Sequence, residues 1–232
     1  MNYADLVVIF EKWRTQHELN TYRYTSAILA EAKEVHHADW LKHPTASGDH
    51  EQSWRAFKGK NLEKLITHII QREVRELGLE IIQGNTLERS QPNNLSDVLN
   101  QVRRNLLVRF GAQGEFGFHL PDIDIVIYNP STSQVVAVVS SKVTLRERIA
   151  QTGYWKIKLS QDKTTKDIKV FFISPDEDGT LTKRSPMKKG RAIVETDIDG
   201  AYVMTEETIE ASDKVKSLDQ FISDLRKLIN TA

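Results

Sequence analysis

The sequence predicts an α/β fold: a mixed central β-sheet flanked by helices, with an N-terminal helical region in front of it. Three observations predict this. The first half carries apolar residues at helical spacing. The middle carries two β-branched runs joined by a turn. An amphipathic segment closes the chain.

Taken in order, Leu6, Val7, Phe10 and Trp13 mark one face of a helix over residues 3–17. Residues 24–40 form a second candidate, ending near Trp40. The polar stretch LKHPTASGDHEQS, with Pro44 and Gly48, reads as a loop. A strong helix is expected from Asn61, as N-cap, to Leu77, with Gly78 ending it. Its stripe is Leu62, Leu65, Ile66, Ile69, Ile70, Val74 and Leu77. LGLEIIQG suggests a short strand. Ser96 suits the cap of a helix running to Gly111.

Residues 124–128 and 134–140 are the β-branched runs, and the turn NPSTS between them makes a hairpin. A helix starting near Thr144 follows. KVFFIS at 169–174 is a strand stopped by Pro175, and LTKRSPMKKGR is a basic loop. Strands are expected near 192–195 and 201–204, and a helix over SLDQFISDLRKLIN. The 232 residues fit one catalytic domain, divided into a helical part over 1–60 and a core over 61–232.

Composition excludes several classes. With no cysteine there is no disulfide, no thiolate zinc site and no thiol nucleophile. No apolar run approaches the roughly 20 residues of a membrane span. The first residues read as an amphipathic helix rather than a secretion signal, and the lack of cysteine fits a cytoplasmic home. No glycine-rich phosphate loop and no G-x-S-x-G elbow occur, so neither a nucleotide cofactor nor a serine hydrolase is expected. Lys+Arg and Asp+Glu both number 32, which argues against loose coating of nucleic acid. His36 and His37, being adjacent, point to different helix faces and make a poor pair of metal ligands.

The block LPDIDIVIYNPSTSQVVAVVSSKVTLRER, Leu120 to Arg148, carries the chemistry. Asp122 and Asp124 precede one strand of the hairpin, and alternation places them on one face. Ser140 and Lys142 share a face at the end of the other strand. One or two carboxylates thus meet an ammonium at an open sheet edge. That group suits phosphodiester hydrolysis with a hard cation, which prefers oxygen ligands.

Pro121-Asp122, the hairpin and Ser140-Ser141-Lys142 together resemble the motif of PD-(D/E)XK nucleases, and in particular type II restriction endonucleases. The resemblance covers residues 54–70 and 119–158 and implies a restriction-endonuclease-like core. It departs at Ser140, where the family usually has Asp or Glu. A subset that includes readers of CCGG-type sites is similar in having SxK there, with a carboxylate from elsewhere completing the metal site. The downstream acid of some of that subset falls here on Tyr154-Trp155, which does not match. WRAFKGKNLEKLITHII resembles the helix that carries an accessory active-site glutamate, which here is Glu63. Glu147 and Gln151 are weaker candidates. The Pro-Asp pair favours Asp122 as the metal-binding aspartate, with Asp124 the alternative.

The resemblance implies Mg2+ held by Asp122, Asp124 and Glu63, with Lys142 and Ser140 in the catalytic site. Thr144-Leu145-Arg146-Glu147-Arg148 resembles a recognition-helix start. Its arginines can meet guanine and its glutamate cytosine. The implied substrate is double-stranded DNA, at a short palindrome containing G·C pairs, cut by a homodimer. Arg103, Arg104, Lys156, Lys158 and the basic loop at 183–191 are candidates for phosphate contacts. The rival readings are a repair or junction nuclease of the same superfamily and a non-catalytic DNA-binding or interaction module.

Overall fold

A computed structural model describes residues 1–44, 48–111, 114–143 and 148–230. The chain begins with α1 (Tyr3–His17), and the Asn2 side chain caps it by accepting from the backbone N–H groups of Ala4 and Asp5. A 3₁₀ segment leads to α2 (Thr25–Lys42). Next comes α3 (His50–Glu76), capped by Asp49 rather than by Asn61. The helix starts earlier than expected because the polar loop ends at Asp49 and Trp54, only 4% exposed, already packs in a core. Asn61 is buried inside it, where its amide donates to the Phe57 carbonyl at 2.9 Å. Gly78 sits just past the end at φ 75°, a conformation that glycine adopts without strain.

The rest of the chain builds a six-stranded sheet. Its strands are β1 (Glu80–Gln83), β4 (Ile125–Tyr128), β5 (Val135–Ser141), β6 (Lys169–Ser174), β7 (Gly200–Val203) and β8 (Val215–Ser217). They lie in the order β1-β4-β5-β6-β7-β8. β1, β4 and β5 pair antiparallel; β5 through β8 pair parallel. The sheet is therefore mixed, as expected. The connecting helices are α4 (Gly84–Arg89), α5 (Asp97–Asn105), α6 (Arg148–Ser160) and α7 (Lys189–Asp197), with α8 (Phe221–Asn230) last.

Alternation along β4, β5 and β6 divides the core in two. Val126, Val138, Val170 and Phe172 pack with Val102, Ile149, Leu159 and Val194 from α5, α6 and α7. Ile125, Ile127, Val139, Phe171 and Ile173 pack with Leu62, Ile66, Ile70 and Val74 of α3 and Phe221 of α8. A third cluster joins Leu6 and Phe10 of α1, Ile28 and Leu29 of α2, and Trp54 and Leu65 of α3. Among the described residues no helix is long and apolar enough to cross a membrane.

Two further expectations are corrected. The helix capped by Ser96 ends at Asn105 instead of reaching Gly111. Residues 108–109 pair instead with 118–119 as a small hairpin of β2 (Val108–Arg109) and β3 (Phe118–His119). Leu106 and Val108, each 1% exposed, are buried at a spacing of two, the strand period. Residues 192–195 lie in α7 rather than a strand. Burial of Arg191 and Val194 and the Arg191–Glu195 ion pair at 2.8 Å follow helical spacing and override the local β-branched run. The short strand β8 and helix α4 were not foreseen. The Thr144 start of the helix after β5 lies outside the described residues.

Candidate active site

Asp124 sits just before β4, held by backbone on both sides. Its N–H donates to the Val139 carbonyl at 3.2 Å, and its carbonyl accepts from the Gly84 N–H at 2.9 Å. Only glycine allows the second contact, since a Cβ on residue 84 would lie 2.0 Å from the Ile123 carbonyl oxygen. Gly84→Ala should therefore push β1 and the Asp124 segment apart and cost about 1–3 kcal/mol or more. Thermal melting should fall; a variant that melts like the parent would show that the contact relaxes freely.

The Asp124 carboxylate is the centre of a small charge cluster. Oδ2 accepts from the Ser141 N–H at 2.6 Å. Lys142 Nζ donates to Oδ1 at 3.1 Å and to Oδ2 at 3.3 Å. The pair is largely buried, with 14% of the Asp124 side chain and 26% of the Lys142 side chain exposed. Glu63 reaches the same place from α3. Burial first, then the Asp124 charge and a hydrogen bond with Asp124, push its carboxyl from the ordinary 4.5 up to about 7, against the pull of Lys142. Asn85, in α4, brings its amide to 3.5 Å from Glu63 Oε1. The turn of α3 that carries Glu63 is tied to the sheet edge through Thr67: its hydroxyl donates to the Glu63 carbonyl at 3.0 Å and accepts from Gln83, in β1, at 2.7 Å.

Asp122 is placed differently. It is exposed, and Gln151 of α6 donates to its Oδ2 at 2.8 Å. Asp122, Asp124, Ser140, Lys142, Gln151 and Thr152 line one narrow cleft. Asp122 thus forms the wall toward α6, while Asp124, Lys142 and Glu63 form the charged group. The structure brings Ser140 to the cleft as well, 8% exposed. Ser141 was not singled out from the sequence, yet its backbone orients Asp124; its hydroxyl is buried without a partner among the described residues. Such a backbone role leaves no trace in residue type.

No group of three or more His, Asp or Glu gathers to hold an ion among the described residues. His36 instead packs against Trp54 and Phe57 and faces His50 at 3.1 Å. Arg146 and Glu147 lie outside the described residues, and Arg148 opens α6. The single cations proposed for phosphate are all engaged. Arg103 donates to the Ser90 carbonyl at 3.0 Å, and Arg104 to Gln101 at 2.7 Å. Lys156 pairs with Asp199 at 2.7 Å, and Lys158 sits 5.0 Å from the centre of the Phe110 ring.

The chain is similar to known proteins. The sequence model of the BsaWI restriction endonuclease type 2 family matches residues 98–229. The putative type II restriction enzyme MjaVIP of Methanocaldococcus jannaschii is 31% identical over 179 residues, 75% of this chain and 76% of that protein. The probable type II restriction enzyme HpyAORF263P of Helicobacter pylori is 28% identical over 196 residues, 81% of this chain and 98% of the relative. Among solved structures, the PspGI–substrate DNA complex aligns with a TM-score of 0.54 at 14% identity, covering 98% of this chain and 93% of that one. The specific AgeI–DNA complex aligns at 0.52 and 14%, covering 97% and 91%. These two show a shared restriction-endonuclease fold. The family match over more than half the chain, together with the 31% identity to an archaeal relative, shows that the chain belongs to the BsaWI family of type II restriction endonucleases, which are site-specific deoxyribonucleases.

Proposed function

We propose that the chain hydrolyses phosphodiester bonds of double-stranded DNA in a magnesium-dependent reaction, at a short palindrome containing G·C pairs. The observation that carries this is the Asp124–Lys142 pair at 3.1 Å in the narrow cleft, with the Glu63 carboxyl close enough for the Asp124 charge to raise it. Two carboxylates so placed favour a proton or a cation between them, and an all-oxygen donor set suits a hard divalent ion. Glu63 and Asp124 would hold Mg2+, whose remaining positions suit water and phosphate oxygen. Asp122, wall of the same cleft, is an outer participant. Glu63 supplies the carboxylate that Ser140 lacks, which favours hydrolysis over a non-catalytic module.

When bound, the cation supplies charge neutralisation and polarises the phosphorus–oxygen bond. The chain's own residues do the rest. Asp124 fixes the Lys142 ammonium in the cleft, where it can orient the attacking water and offset charge gathering on the phosphate. The Ser141 N–H keeps Asp124 from rotating away.

Recognition falls to Arg146, Glu147 and Arg148. The Gln151–Asp122 hydrogen bond ties the first turns of α6 to the cleft, which supports a helix start facing the same DNA. The solved relatives in the AgeI and PspGI complexes are bound to DNA, in keeping with this. A two-fold protein matches a palindromic site, so a homodimer is expected, with α1, α2 and α8 as candidate contacts.

Digestion of phage DNA with the purified protein tests the reading. Discrete bands with magnesium and none with EDTA are expected. A magnesium-dependent smear would favour a repair-type nuclease, and intact DNA under every condition would favour a binding module.

A further inference from the structure

We propose that the exposed segment Lys183–Lys189, running from the loop after β6 to the first residue of α7, is a preformed strap that binds the phosphate backbone of duplex DNA without regard to sequence. The proposal rests on the nuclease reading above, and it adds a contact surface outside the cleft.

The strap's place follows from strand direction. β5 and β6 are parallel, with Ser141 opposite Ile173, so both strands leave the sheet at the edge where Lys142 stands. The chain beyond β6 is then built into that edge. Asp176, 5% exposed, closes a tight turn: its carboxylate accepts from the N–H groups of Thr180 at 2.9 Å, Leu181 at 2.8 Å and Thr182 at 3.0 Å. The next residue, Glu177, donates its N–H to the Val143 carbonyl at 3.3 Å, one residue past Lys142. Its carboxylate pairs with Lys58 of α3 at 3.0 Å. The far end is closed by Arg191. The sequence groups this residue with the basic run, but it is fully buried, bonded to Glu195 and to the carbonyls of Leu181 and Glu210. Both ends are buried and hydrogen-bonded, and the middle, residues 183–189, lies exposed.

Charge singles out that middle. KRSPMKK carries four cations and no acid, on a chain of zero net charge. Lys188 donates to the Asp178 carbonyl at 2.6 Å, a contact that leaves its charge unneutralised. Lys183, Arg184 and Lys189 make no ion pair among the described residues. The Glu210 carboxylate accepts from the backbone N–H of Arg184 at 2.6 Å, and the Arg184 charge also helps to lower the Glu195 carboxyl. Exposed cations in excess over local acids are what a polyanion recruits, because neutralising phosphates releases their counterions.

The test is a triple variant, Lys183→Gln, Arg184→Gln and Lys189→Gln, titrated against a fluorescent duplex of arbitrary sequence in EDTA. Each phosphate contact contributes about 0.9 to the slope of log affinity against log salt, so the slope should shrink by roughly 2–3 between about 50 and 200 mM salt. The loss should be equal for unrelated sequences, the melting temperature should hold, and Lys183→Arg with Lys189→Arg should keep the parental slope. An unaltered slope in the triple variant, with the parent binding and cutting DNA, would overturn the strap and leave the nuclease standing. A parent that neither binds duplex nor cuts it would overturn both.

Discussion

Lys142→Ala should lose cleavage by at least about 10²–10³-fold, the usual cost of removing one preorganised group that offsets transition-state charge. Its ammonium lies within 3.3 Å of both Asp124 oxygens and faces the cleft lined by Asp122, Ser140 and Gln151. Lys142 stands just past the end of β5, and its pair with Asp124 is largely buried, so the metal-free variant leaves Asp124 uncompensated and should melt somewhat lower. Duplex affinity with calcium in place of magnesium should survive. Single-turnover cleavage of a defined fragment is the measurement. A variant that cuts at the parental rate would remove Lys142 from the chemistry and with it the whole cluster.

Glu63→Gln should separate function from stability in opposite directions. Cleavage should drop by orders of magnitude because the amide cannot serve as an anionic ligand. The metal-free protein, by contrast, should become more stable at neutral and alkaline pH. The folded Glu63 carboxyl sits at about 7 against an ordinary 4.5. A raised carboxyl is favoured protonated, so its contribution to folding is fully present below 4.5 and is lost as pH rises through about 7. The shift would be worth about 3 kcal/mol at full burial; Glu63 is half-buried, and solvent screening reduces this to about 1 kcal/mol. For a chain of this length that is about 2–4 °C of melting temperature at pH 8, absent below pH 4.5. Divalent-ion affinity of the parent should rise with pH up to about 7, since binding must displace the shared proton. Equal melting curves for parent and variant across this range would deny the carboxylate contact.

The β4–β5 hairpin and the helical stripe of α3 could be read from residue spacing, because both depend on local period. The choice between Asp122 and Asp124 could not. Alternation placed the two aspartates on one face, but β4 begins only at Ile125. Without a strand at 122–124 the alternation does not apply. Asp122 turns out to Gln151 while Asp124 takes the Ser141 N–H and Lys142. The resemblance of its helix offered Glu63 as a candidate, yet the Asp124 it meets lies 61 positions away and periodicity says nothing about such a meeting. Arg191 and Lys189 look alike in a basic run. Only the fold buries the first and exposes the second.

Helix α3 seats Trp54 and Leu65 against α1 and α2, and Leu62, Ile66 and Ile70 against the sheet. Glu63 therefore stands between two anchorages of the same rod. Trimming the N-terminal helices would bare Trp54 and Leu65 to water and leave the inner half of the rod as the sole support for a carboxylate that must sit within hydrogen-bond reach of Asp124. Such leverage makes the N-terminal helices guardians of cutting itself, and changes in them should register first as lost activity rather than as altered sequence choice.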